Sequence, residues 1–312
     1  MQKTIRIGTR DSRLAVWQAE EVQRLLAEQG VAAELVFIKN EGDLDTITPL
    51  YAIGVQGVFT RTLDAALLSG KIDIAVHSMK DVPVQLAGGI IEAAVLKRAS
   101  HKDIFVYHPQ KAMPAWLSEP GSNAEIHIAT SSIRRIAQIK HQYPNASISN
   151  IRGNVITRLK KVEESDWDGA IFAAAGLERI GVRPSHSVDL DWMLPAPAQG
   201  AIMVVCREED KFSFSVCRAF HHEETASCVT AERAFLTTLL GGCSTPISAF
   251  AYKEGGVMQF KGNVTSPDGR KSFDITNTYE IGNKDAGIAA ANQLLENEEV
   301  RELIRGIRNV EA

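Results

Sequence analysis

The chain has 312 residues, 45% of them apolar and 23% charged, with a formal net charge of −4. That length accommodates two or three domains with cores of their own, and the acidic balance argues against a general nucleic-acid binder. No stretch approaches the ~18 apolar residues of a membrane span, and the four cysteines (Cys206, Cys217, Cys228, Cys243) form no C-x-x-C pair and have no histidine at zinc-finger spacing.

Residues 4–8 read as a strand with no signal-peptide pattern ahead of it, so a reduced, cytoplasmic compartment is expected. Asp11-Ser12 reads as a helix N-cap, and the helix that follows to Gly30 carries Ala15, Ala19, Val22 and Leu26 on one face. A strand over 34–38, a glycine-bearing connection through 53–57, a helix over 59–68, a strand over 72–76 and an apolar run at 91–96 complete a first α/β unit. The pattern restarts near residue 100, with strands expected at 104–107, 125–129, 147–151 and 169–173 and helices after Ser132, Asn154 and Gly176. Leu194–Gly200 is a proline-rich link, and 201–206 is one more strand whose sheet the sequence leaves open. From about Phe220 a long helix over 224–240 stops at Gly241-Gly242. Three strands, at 247–252, 257–264 and 273–279, and two closing helices make a small α+β domain.

Chemistry concentrates at strand ends. The apolar run over 72–76 drops into Ser78, Lys80 and Asp81, and Pro83 forbids a continuing central strand. That places Asp81 just past the carboxyl end of a buried strand, where open α/β sheets bind ligands. An isolated Lys-Asp pair is more often an ordinary solvated turn. Between Ile126 and Val162 there is no Asp or Glu, whereas Arg134, Arg135, Lys140, Arg152, Arg158, Lys160 and Lys161 all fall inside, a field that steers anions. Thr130, Ser131, Ser132, Arg134 and Arg135 sit at one strand-to-helix junction, and Arg152, Gly153 and Arg158 at the next. Free N–H groups, hydroxyls and bidentate guanidinium donors suit a ligand with several carboxylates or phosphates. Arg10, ahead of the Ser12 cap, repeats the arrangement in the first unit. One carboxylate in a positive field suits a reaction that develops a cation. Cys243 lies on a glycine turn, a context for a reactive or derivatised thiol, whereas the other three cysteines read as small buried hydrophobes.

These segments together resemble the hydroxymethylbilane synthase (porphobilinogen deaminase) family. The resemblance is carried by Gly8-Thr9-Arg10-Asp11-Ser12 with Leu14–Ala19, then His77–Pro83, Thr130–Arg135, Arg152–Leu159, Ala174–Arg179, Pro197–Gly200, Thr230–Arg233 and Gly241-Gly242-Cys243, in this order over essentially the whole chain. It implies a transferase of porphyrin and heme biosynthesis. Such an enzyme joins four porphobilinogen units head to tail with loss of ammonia, giving linear hydroxymethylbilane. It also implies a dipyrromethane cofactor held by a thioether to Cys243, with Asp81 as the catalytic aspartate stabilising an azafulvene-like cation. Arg10, Arg134, Arg135, Arg152, Arg158 and Arg179 would hold substrate and cofactor carboxylates. Ser12, Lys80, Thr130, Ser131, Ser132, Gly153 and Gln199 would line the same cleft. No metal is implied.

The implied architecture is two periplasmic-binding-protein-like (type II) α/β domains, 1–99 with 196–217 and 100–195, plus a C-terminal α+β domain, 218–312, with a three-stranded sheet. A monomer is expected, with no nucleic-acid or membrane partner. Relatives carry lysines near Ala52 and Gln56 and a basic or neutral residue near Glu41, so weaker loop contacts, or compensation by Arg61, are expected here. The competing readings are a non-catalytic two-lobed anion-binding module and a degenerate enzyme of the same fold. His221 and His222 read as a hinge into the third domain.

Overall fold

The computed structural model describes residues 3–39, 60–119, 125–239 and 245–311. The first sheet is built from β1 (Ile5–Thr9), β2 (Ala33–Phe37), β3 (Ile74–Ser78), β4 (Ile90–Val95) and β10 (Ile202–Arg207), in the order β2-β1-β3-β10-β4. Helices α1 (Arg13–Glu28) and α2 (Arg61–Leu68) connect its strands. Ser12 caps α1 by accepting from the Ala15 N–H at 3.4 Å, and the expected face of Ala15, Ala19, Val22 and Leu26 is buried. β3 begins and ends two residues later than expected, which brings Lys80 and Asp81 directly against its end.

The second sheet holds β5 (Asp103–Tyr107), β6 (His127–Ala129), β7 (Ser147–Ser149), β8 (Gly169–Ala173) and β9 (Ser187–Asp189), ordered β7-β6-β8-β5-β9. Its helices are α3 (Ile133–Gln142), α4 (Val155–Glu163) and α5 (Ala174–Arg179). The expected helix after Gly176 starts earlier, at Ala174, so Gly176 lies inside it. In each sheet one antiparallel strand, β10 or β5, is inserted beside the third parallel strand. The two sheets therefore have the same strand arrangement, that of the type II periplasmic-binding-protein lobe. Each inserted strand adjoins a point where the chain crosses between lobes.

The two crossing segments touch. Ala99 N–H donates to Gly200 O at 3.1 Å, and a Cβ on Gly200, at φ +84°, would lie 2.5 Å from Ser100 O. Glycine is required there by both backbone angle and space. Ala198, fully buried two residues earlier, holds φ +62°, a strained conformation for a side-chain-bearing residue.

Helix α6 (Lys211–Arg218), absent from the sequence expectations, packs on β4 and β10. Helix α7 (Glu223–Thr238) then leads to the antiparallel meander β11 (Ile247–Glu254), β12 (Val257–Thr265) and β13 (Ser272–Glu280), closed by α8 (Ala286–Leu295) and α9 (Glu298–Glu311). Phe235 of α7 and Phe260 of β12, both fully buried with ring centroids 5.4 Å apart, anchor this third core.

Candidate active site

β3 passes from the buried Ile74–His77 run into a single 3-10 turn, Met79–Asp81, fixed at its start by Met79 N–H to Ala201 O at 3.0 Å. Asp81 emerges half-buried from this turn. Lys80, beside it in the turn, donates from Nζ to Gln199 Oε1 at 3.3 Å. Gln199, 1% exposed, passes the connection on: its amide donates to His101 O at 2.7 Å and to Asp103 Oδ1 at 3.0 Å.

Asp103, at the first position of β5, is fully buried. Arg134 donates to its Oδ2 at 2.7 Å and Arg135 to its Oδ1 at 2.7 and 3.2 Å. Both arginines spend a further nitrogen on backbone, Arg134 on Leu194 O and Arg135 on Ile171 O, each at 2.7 Å. Arg134 Nε, also buried, finds no acceptor among the described residues. Burial would raise the Asp103 carboxyl, but Arg134, Arg135 and Lys80 outweigh it and hold it well below the usual carboxylate range. Lys80 is driven down to about 8, first by burial and further by Arg135 and Arg134, against the pull of Asp81 and Asp103. Three cations around one buried carboxylate leave a local surplus of positive charge.

The neighbouring junctions are tied together. Ser131 Oγ donates to Ile151 O at 2.6 Å and accepts from Ile151 N–H at 3.0 Å, and it also bonds Asn150. Thr130 Oγ1 accepts from Ser132 N–H at 3.3 Å, while the Ser132 hydroxyl makes no capping bond to α3. Arg152 is buried, and its carbonyl accepts from Lys161 at 3.1 Å. Arg158 donates from Nε to Gly153 O at 2.7 Å. Burial, Arg135 and Arg152 push the Arg158 guanidinium down to about 10, and Asp81 pulls it back. Asp81 of the first lobe and Arg158 of the second are thus near enough to act on each other electrostatically.

On the first-lobe side, burial and then Arg10 depress His77 to about 4, so that imidazole is neutral at pH 7. Arg179 donates to Gly200 O at 2.7 Å and lies 5.7 Å over the Trp17 ring, and burial brings it down to about 10. Sequence alone gave no role to Asp103, Arg98, Glu232 or Arg233, the last two within the Thr230–Arg233 motif. Glu232, fully buried, accepts from both terminal nitrogens of Arg98 and from the Ala198 and Ala251 N–H groups.

Cys243 and its glycine turn lie outside the described residues, as do Glu41, Ala52 and Gln56. His221 accepts from Val95 N–H at 3.1 Å and His222 caps α7 at Thr225 N–H, 3.1 Å. Among the described residues no cluster could hold a metal, and no helix is long and apolar enough to cross a membrane.

Two α/β lobes with the same strand arrangement, one presenting a carboxylate at a strand end and the other arginines at its strand-to-helix junctions, define a two-lobed α/β protein. A family model described as "Porphobilinogen deaminase, dipyromethane cofactor binding domain" matches residues 5–214, and one described as "Porphobilinogen deaminase, C-terminal domain" matches 226–296. The chain is 40% identical over 301 residues to the chloroplastic porphobilinogen deaminase of Oryza sativa subsp. japonica, covering 91% of this chain and 82% of that one. It is 38% identical over 279 residues to the porphobilinogen deaminase of Acidithiobacillus ferrooxidans, covering 87% and 88%. Among solved structures, an ancestral cationic amino acid solute binding protein is similar over 70% of this chain and 87% of its own, with TM-score 0.45 and 14% identity. The chain belongs to the porphobilinogen deaminase family of transferases.

Proposed function

We propose that this chain is a cytoplasmic, monomeric hydroxymethylbilane synthase, converting four porphobilinogen and one water to hydroxymethylbilane and four ammonia. Its three domains would be 1–99 with 196–217, 100–195 and 218–312. The observation that carries the reading is the place of Asp81 at the end of β3, opposite Arg158 and beside the Lys80–Asp103–Arg134–Arg135 group.

Porphobilinogen carries an acetate and a propionate, so each addition brings two negative charges into the cleft. Arg10, Arg134, Arg135, Arg152, Arg158 and Arg179 supply counter-charge, with Ser12, Thr130, Ser131, Ser132, Gly153 and Gln199 shaping the walls. In each cycle the aminomethyl C–N bond of the incoming substrate breaks and its nitrogen leaves as ammonia. A C–C bond then forms to the accepting pyrrole, which loses its ring proton. Positive charge develops on the reacting ring as the amine departs, and the Asp81 carboxylate stabilises it. The surrounding cations hold the substrate carboxylates away from Asp81, so its charge is directed at the reacting ring.

The donor set fits the dipyrromethane cofactor: cations outnumber carboxylates, and Arg134 Nε is a buried donor with no acceptor among the described residues. Bound there, the cofactor supplies the pyrrole to which the first substrate ring is joined. Cys206, Cys217 and Cys228 are buried, and burial raises all three thiols, Cys206 and Cys228 to about 11. That favours Cys243 as the attachment point.

Intact mass of the purified protein beside Cys243→Ser, with turnover of Asp81→Asn, tests the reading. A two-pyrrole adduct on Cys243, absent from the serine variant, with turnover lost in Asp81→Asn, is expected. A bare thiol after incubation with porphobilinogen would instead leave an anion-binding module.

A further inference from the structure

Arg233 belongs to the Thr230–Arg233 motif and has no part in the cleft described above. It lies on α7, yet its guanidinium reaches the first lobe. One terminal nitrogen donates to Val82 O at 3.0 Å and Met79 O at 3.3 Å, and the other donates to Pro83 O at 2.6 Å. These three carbonyls bracket Asp81 in the chain. The turn that carries Asp81 has little of its own to hold it: one internal backbone bond, Val82 N–H to Met79 O at 3.2 Å, in a three-residue 3-10 segment. Such short turns have poor hydrogen-bond geometry and are easily reshaped. A planar guanidinium with five donors in a fixed fork can bind several carbonyls at once, which an ammonium cannot do in the same plane. The adjacent residue, Glu232, is locked by four hydrogen bonds to Arg98, Ala198 and Ala251, so the base from which Arg233 reaches is itself fixed.

We infer that Arg233 is a positioning residue for Asp81, holding the Met79–Pro83 turn from the third domain so that the carboxylate is aimed into the cleft. The inference rests on the reading of Asp81 as the catalytic carboxylate. The three carbonyls that Arg233 holds belong to the Asp81 turn and not to the groups assigned to the substrate carboxylates, so its loss is expected to act on the chemical step rather than on substrate capture. A displacement of about 1 Å at a reacting group can cost about 10²-fold in rate.

The test uses the full-length holoenzyme with Arg233→Ala and Arg233→Lys, and Asp81→Asn beside them. Amide hydrogen exchange is followed for peptides covering 78–84 and 223–238, and kcat and KM for porphobilinogen are measured with the thermal midpoint. Faster exchange confined to 78–84 is expected, with kcat lower by about 10²-fold in Arg233→Ala, an intermediate loss in Arg233→Lys, and KM within about twofold. Unchanged exchange over 78–84 would overturn the inference, and so would a kcat loss accompanied by equal loosening of 223–238. Should Arg233→Ala not fold, Arg233→Lys and Arg233→Gln carry the same comparison. Full turnover in Asp81→Asn would sink the underlying reading instead, and the exchange data would still show whether Arg233 holds the turn.

Discussion

Arg98 and Glu232 meet through both guanidinium terminal nitrogens and both carboxylate oxygens, at 2.8 and 2.7 Å, with Glu232 fully buried. The pair joins the segment crossing between the lobes to the third domain, and the same carboxylate takes the Ala198 and Ala251 N–H groups. Removing one partner of a buried pair strands the other charge and typically costs about 3–5 kcal/mol. Glu232→Ala is therefore expected to lose about that much stability in urea unfolding. Glu232→Gln keeps acceptor and shape and should fall between it and the parent. An alanine variant within 1 kcal/mol of the parent, on the scale of an exposed pair, would show that the charge is solvated after all.

Lys80 gives a pH-dependent signature. Its folded pKa of about 8 lies below the ordinary 10.5, so the folded state binds fewer protons between those values. Stability then rises with pH across that window, and the cost of burying the ammonium is fully present below about 8. Lys80→Met has no such cost. Its stability advantage over the parent is expected to be largest near pH 7 and to shrink towards pH 10, read from paired urea midpoints. A difference that stays constant with pH would mean that Lys80 titrates normally. Asp103 gives a slope of the same sign in a lower window: its depressed carboxyl contributes stability above about pH 4 that is lost as the pH falls further.

How much of this was legible depended on separation along the chain. The α1 face and the Ser12 cap follow from local spacing, and the placing of Asp81 follows from a strand that breaks into polar residues before Pro83. Asp103 was invisible because its partners stand 31 and 32 residues away and Gln199 stands 96 away. From sequence alone Arg134 and Arg135 read as bidentate anion donors, and nothing local shows that a buried carboxylate takes three of their nitrogens. Helix α6 was lost for a different reason. Phe212, Phe214 and Val216 alternate with serines as a strand would, and the signal against that is Asp210, which caps the helix at Ser213 N–H, 3.0 Å.

The turn between β12 and β13 seats the third domain on α3, the helix that carries Arg134 and Arg135. Gly269 has φ +77°, and a Cβ there would stand 2.5 Å from His141 N; its carbonyl meets His141 Nδ1 at 2.8 Å. Gly269→Ala faces both a left-handed backbone cost of about 1–2 kcal/mol and a clash with helix backbone that cannot give way. Gly255, at φ +59° with open space around it, isolates the first cost. Gly269→Ala is expected to lower the thermal midpoint clearly more than Gly255→Ala. Equal shifts would mean that the contact with α3 is not maintained in solution.

The buried thiols make a prediction about labelling. Burial raises Cys206 and Cys228 to about 11 and Cys217 further still, so at pH 8 these groups are neutral as well as covered. An accessible thiolate attacks a disulfide reagent, forming a mixed disulfide and releasing one reagent thiol. Native protein lacking the cofactor is expected to release one equivalent of reagent thiol by reaction at Cys243, and Cys243→Ser none. Protein carrying the thioether should likewise release none until it is unfolded, when Cys206, Cys217 and Cys228 react and Cys243 stays blocked. More than one fast-reacting thiol in the native state would show that the first-lobe core around Cys206 and Cys217, or the α7 packing at Cys228, opens on the labelling timescale. Cys243 would then no longer be singled out by reactivity.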